Sequence, residues 1–174
     1  RPVGARTHVP VTARGDPGAP LTGTVGEVGP IGLEEVREPA QRALFRELVA
    51  RYHYRGHAVP FGASLRYLVS ATHPARQVVG CLQFSSPAWR LAVRDRWIGW
   101  DEATRRRNLQ RVVSNSRFLL LPWVRVKNLA STVLAQAVRR LGADWRARYA
   151  VEPLLVETLV EQGRVGTCYR AANW

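Results

Sequence analysis

Glu157 is the lone acid inside the apolar run PLLVETLV (153–160). A carboxylate there is costly to bury unless it has a partner or a job. The closing stretch GTCYRAANW (166–174) adds Thr167, Cys168, Tyr169 and Asn173. Glu157 or Tyr169 could handle a proton or bind a substrate; equally, Glu157 could sit at a strand end or pair with an arginine. Cys168 as a nucleophile has no base identifiable from sequence. In ARYHYRGH (50–57), His53 and His57 are four apart. That spacing can hold a metal, but Gly56 points to a helix end and no glutamate follows His53, so no metal is expected. His53 at a helix end suits proton transfer or holding a nucleotide, or is a packing histidine.

Two further segments suit anions. RFLLLPWVRVKNLAS (117–131) reads as a strand feeding a helix, whose N-terminal amides and dipole attract negative charge, with Arg125 and Lys127 beside it. No glycine lies between Val124 and Ala130 to let a pyrophosphate approach the backbone. The alternative is a well-capped structural helix. VRDRWIGWDEATRRRN (93–108) interleaves Trp97 and Trp100 with Arg94, Arg96, Arg105, Arg106 and Arg107. Such a mixture suits base stacking and phosphate contact, or else the indoles are core and the arginines solvated.

The formal net charge is +13, and 25 of the 26 basic residues are arginine. Residues 101–148 hold eleven basic residues against three acids, a net of +8. That concentration favours a polyanionic partner over a solvated basic surface. The two cysteines, Cys81 and Cys168, suggest no pairing, and the reading is a reducing, cytoplasmic compartment. The apolar runs are too short to span a bilayer, so a soluble protein without a membrane partner is expected.

Elements must position these groups, and 174 residues suffice for one core. Residues 1–30, rich in Gly and Pro and lacking aromatics, read as a flexible tail; 31–174 read as the domain. Val36, Leu44, Phe45, Leu48, Val49 and Tyr52 predict a helix from about Leu33 to Gly56, with Pro39 in its first turn. Strands are predicted over 64–70 and 77–84, joined as an antiparallel hairpin. Helical cover over 86–100 precedes a helix capped by Asp101 and carrying Leu109, Val112 and Val113. RFLLLPWV reads as a strand buried on both faces and ended by Pro122. Asn128 caps the next helix, with Leu129, Val133, Ala137 and Leu141 inward and Gly142 as its stop. DWRARYA (144–150) is a short further turn, 153–160 a buried strand, and the end a loop entering a helix. The fold class is α/β (α+β): a single mixed, largely antiparallel sheet flanked by helices.

Five separated motifs, RYHYRGHAVPFGASLRYLV, WRLAVRDRWIGW, RFLLLPWVRVKNLAS, DWRARY and GTCYRAANW, over about 44–174, resemble the DruA-like family. That family is named for the Druantia antiphage defence system and is seen also in proteins associated with transposable elements. Its members usually run on past AANW, which implies that C-terminal strands are missing here. The resemblance implies an acetyltransferase-like fold, in which a central strand splays from its neighbour and the next helix receives a cofactor pyrophosphate. Those parts would map onto Phe118 to Val124 and Asn128 to Leu141. The expected cofactor is acetyl-CoA or a related acyl-CoA, held by Val124, Arg125, Lys127, Asn128, Ser131 and Asn173, although the Gly-rich turn of that fold is missing. Glu157, Tyr169 and His53 are the catalytic candidates. Arg94, Arg96, Trp97, Trp100, Arg105, Arg106 and Arg107 would hold nucleic acid, DNA rather than RNA, and defence-system or transposase proteins would be further partners. The functional expectation is binding and modification of DNA through an acyltransferase-like site, against a nucleic-acid-binding module with no catalysis.

Overall fold

The computed structural model describes residues 9–163 and 165–174. Five strands form one mixed sheet in the order β2-β3-β4-β5-β7: β2 (Gly32–Glu35), β3 (Ser64–Ala71), β4 (Gln77–Ser85), β5 (Val112–Leu120) and β7 (Leu155–Thr158). Every neighbouring pair is antiparallel except β5 with β7, which is parallel. A separate two-stranded ribbon pairs β1 (Leu21–Thr24) with β6 (Val124–Lys127) in parallel. The helices are α1 (Pro39–Tyr52), α2 (Ala92–Ile98), α3 (Glu102–Asn108), α4 (Leu129–Tyr149) and α5 (Thr167–Ala171). The expected largely antiparallel sheet flanked by helices is therefore present, and no helix among the described residues is long and apolar enough to cross a membrane.

β3 shows how the two long helices clamp the sheet. Successive side chains on a strand face opposite ways. The Tyr67 hydroxyl donates to Asp144 on α4 at 2.8 Å, while the Arg66 guanidinium lies over the Phe45 ring of α1 at 5.9 Å. So α4 covers one face and α1 the other. α1 begins where Pro39 needs no amide partner, with the Glu38 amide donating to the Gln41 side chain at 3.0 Å. It buries Phe45, Leu48 and Val49. α4 buries Leu129, Val133, Leu134, Ala137, Leu141 and Trp145, a stripe recurring at three and four residues. Its far end is held by the Tyr149 hydroxyl, which accepts from the Ser64 amide at 2.8 Å and donates to the Ser64 carbonyl at 2.7 Å.

Several expectations are corrected. The predicted helix from Leu33 starts only at Pro39, because Gly32–Glu35 pairs with β3. Of the expected tail, residues 1–8 lie outside the described residues. Residues 9–30 are tied down at points: Gly15, Leu21 and Val28 are buried, and the Thr12 amide and hydroxyl donate to the buried Glu47 at 2.6 and 2.7 Å. Val112 and Val113 belong to β5 rather than to the helix capped by Asp101, although that cap is present, with the Thr104 amide donating to Asp101 at 2.7 Å. Gly142 does not stop α4; the helix runs on through DWRARY to a left-handed Ala150 (φ 56°). Burial of Trp145 holds that last turn in place, outweighing the modest cost of an interior glycine.

Gly80 on β4 is a close-approach position: a Cβ there would collide with the Leu119 carbonyl of β5. Gly80→Ala is expected to destabilise the protein by about 1–3 kcal/mol, read as a lowered urea midpoint with an unchanged slope.

Candidate functional site

The polar run SNSR (114–117) interrupts an otherwise apolar β5, and the sheet registers it as a one-residue bulge. Gln83 pairs with Arg117 and Phe84 with Asn115, leaving Ser116 as the extra residue. The side chains around it make good the broken ladder. The Asn115 amide group donates to the Gln83 and Arg117 carbonyls at 3.1 and 3.2 Å, and the Gln83 side chain donates to the Ser116 hydroxyl at 3.0 Å. Bulges bend a strand, end pairing and re-aim side chains. Here β7 pairs with β5 only from Val112↔Leu155 to Asn115↔Thr158, and from the bulge onward β5 runs on without it.

A cleft of about 660 Å³ occupies this opening. It is lined by Ser114 to Phe118 of β5, Thr158 to Glu161 at the end of β7, Val165 to Tyr169 around the start of α5, and His53 to Arg55 beyond α1. The last of these is tied to β5 because Arg117 Nε donates to the Gly56 carbonyl at 2.9 Å. The Tyr169 hydroxyl donates to Asn115 Oδ1 at 2.8 Å, and its ring meets Phe118 edge-on at 6.3 Å. Burial raises the Tyr169 pKa, so the phenol keeps its proton. Cys168 is half-buried, and burial raises its pKa as well, which disfavours the thiolate a nucleophile needs.

Of the expected catalytic group, His53 and Tyr169 line this one cleft and Glu157 does not. His53 is buried, stacks on Tyr54 at 4.7 Å, and accepts the Arg55 amide on Nδ1 at 3.2 Å. Helix α1 stops before it, so His57 is carried away to a second cleft of about 570 Å³, beside Thr12, Leu44 and Glu47. Glu157 faces α2 and makes an ion pair with Arg94 at 3.5 Å. Burial raises its pKa, and Arg94 only partly offsets this.

Arg94 and Arg105 were expected to hold nucleic acid, and they are instead internal. Arg94, 5% exposed, pairs with Asp95 at 3.0 Å and with Glu157; Arg105 pairs with Asp95 at 3.5 Å. The pull of Glu157 and Asp95 turns both guanidiniums inward, joining α2 and α3 to the sheet. Arg96, Arg106 and Arg107 stay exposed, Arg106 with Glu102 at 2.7 Å. Trp97 is 77% exposed. Trp100 is half-buried and lines an apolar groove of about 310 Å³ together with Trp97, Ile98, Arg111, Val112 and Leu155.

The residues expected to hold a cofactor lie apart from these clefts. Val124 to Lys127 form a strand whose backbone runs in register with Leu21 to Thr24. Asn128 makes the whole turn into α4 in the left-handed region (φ 64°) and its side chain caps nothing. The Ser131 hydroxyl donates to the Asn128 carbonyl at 3.1 Å. Arg125 and Lys127 project from the ribbon into solvent, and Asn173 is an exposed left-handed residue (φ 59°) near the chain end. None of the six lines the clefts above. The N-terminal amides of α4 receive no cap from the Asn128 side chain.

Sequence reasoning missed Asn115, Ser116, Arg117 and Arg55. The signal was available: SNSR is as anomalous inside an apolar strand as Glu157 is in PLLVETLV.

Because Arg94 compensates two carboxylates, Arg94→Met leaves them without it. The expected loss is about 3 kcal/mol, roughly a 6–12 °C fall in Tm for a chain of this size, measured by calorimetry.

A family model described as Druantia protein DruA matches residues 6–174, almost the whole chain. No curated protein and no solved structure matches.

Proposed function

The chain belongs to the DruA family of Druantia proteins, an antiphage defence system, and on that premise we propose that it works by binding DNA across the α2–α3 face. The observation that carries this reading is Trp97, an indole 77% exposed on a helix with Arg96 exposed beside it and Arg106 and Arg107 exposed on the next helix. An apolar ring of that size in water is an unused surface, and aromatic faces among cations are what bases and phosphates recognise. The apolar groove beneath it, with Arg111 in its wall, lengthens the platform. The net charge of +13 supplies the long-range attraction.

This reading needs no cofactor. Acyl transfer would need a cofactor site as well, and none of the residues expected to hold one lines the clefts above, so binding is the function carried forward.

Trp97→Ala is expected to weaken binding of a single-stranded oligonucleotide by about 1–3 kcal/mol. Arg96→Ala is expected to flatten the dependence of log affinity on log salt by roughly 0.7–0.9. Both are read by fluorescence anisotropy over a salt series. Unchanged affinity and slope in both variants would overturn the α2–α3 assignment.

A further inference from the structure

We propose that the cleft at the Ser116 bulge holds one nucleotide unit of a bound strand, its phosphate between Arg55 and Arg117 and its base against Tyr54. The proposal rests on the nucleic-acid reading above and names which part of the ligand this second site takes.

Size sets the first limit. At about 660 Å³ the cleft lies within the range of small-ligand sites and is far too small for a duplex, so only a unit turned out of its stack can enter. Charge sets the second. Arg117 donates only to carbonyls, those of Gly56 and Ser116, and its guanidinium has no carboxylate partner among the described residues. The Arg55 side chain likewise makes no hydrogen bond or ion pair among them. Burial, and after it the charge of Arg55, lowers the Arg117 pKa, so the two cations feel one another across the cleft. A phosphate between them would relieve that repulsion and accept charge-assisted hydrogen bonds from both. Glu161, just past β7, lines the same cleft, and the phosphate is assigned to the two arginines.

Shape completes the match. Tyr54 is 51% exposed while one side of it is backed by the His53 ring, the arrangement of a supported stacking platform. Asn115 is fully committed to the bulge and to Tyr169, so it holds the wall rigid rather than reading the ligand. The Ser116 hydroxyl and the Tyr169 phenol border the space where a base edge would lie.

The test uses the whole chain, with thymidine 5′-monophosphate, a single-stranded oligonucleotide and the matching duplex as probes, in wild type, Arg55→Ala, Tyr54→Ala and Trp97→Ala. Arg55 and Tyr54 are surface residues whose replacement leaves the core intact. Titration calorimetry is expected to show the monophosphate and the single strand losing roughly tenfold in affinity on Arg55→Ala. Tyr54→Ala should weaken both, Trp97→Ala should weaken the strand alone, and duplex binding should be indifferent to Arg55 and Tyr54. If the strand binds and depends on Trp97 while neither cleft variant changes anything, the cleft proposal fails and the α2–α3 reading stands. If the monophosphate binds through Arg55 but no strand binds, the assignment to a strand is overturned along with that reading.

Discussion

One extra residue in a central strand sets the terms for everything around it. β5 must stay paired with β4 along its length, because that pairing runs through the core, yet Ser116 puts the two strands out of step. Asn115 resolves the conflict: 5% exposed, it spends its amide group on two carbonyls and its oxygen on Tyr169. A buried amide with every group paired is rigid and specific, where a half-paired one would be among the costliest errors in a core. The strand bends, β7 leaves it after Asn115↔Thr158, and the gap is walled by α5 on one side and by the residues after α1 on the other. Arg117, hooked to the Gly56 carbonyl, makes those last residues part of the same rigid unit.

The charge pattern divides by the same logic. Arg94 and Arg105 are consumed by Asp95 and Glu157, which fasten α2 and α3 to the β7 edge of the sheet. What remains outside is a cationic surface on α2–α3 and a cationic wall in the cleft, one tethered to β7 and the other to β5. The positive excess of residues 101–148 therefore overstates the footprint open to a polyanion, since part of it neutralises internal acids. Counting charge along a chain measures sign and amount, and only packing decides which charges face water.

Local signals were legible and long-range ones were not. Pro39 in a first turn, the β3–β4 hairpin, the Asp101 cap and the inward stripe of α4 all depend on residues within a turn or two of each other. β1 and β6 pair across about a hundred residues, four residues each, with too short a pattern to stand out from a Gly- and Pro-rich segment. That pairing also places Val124 to Lys127 in a strand that leads into α4. Gly142 looked like a stop because glycine often ends helices, but a stop needs a left-handed backbone and nothing buried beyond it, and Trp145 is buried beyond it. Within the site, Tyr169 and His53 were legible by type and converge on one cleft, whereas the bulge that brings them there is a property of two strands and not of either sequence alone. Glu157 was read correctly as needing a partner, and its partner proved to be an arginine expected to face outward.

The nucleotide site proposed at the bulge is distinct from the start of α4. Residue-resolved amide chemical-shift mapping tests it most directly, with isotope-labelled protein titrated with thymidine 5′-monophosphate. Saturable shifts are expected, confined to Tyr54 and Arg55, Ser114 to Phe118, and Gly166 to Tyr169. Shifts centred on Val124 to Ser131, or none that saturate, would contradict it.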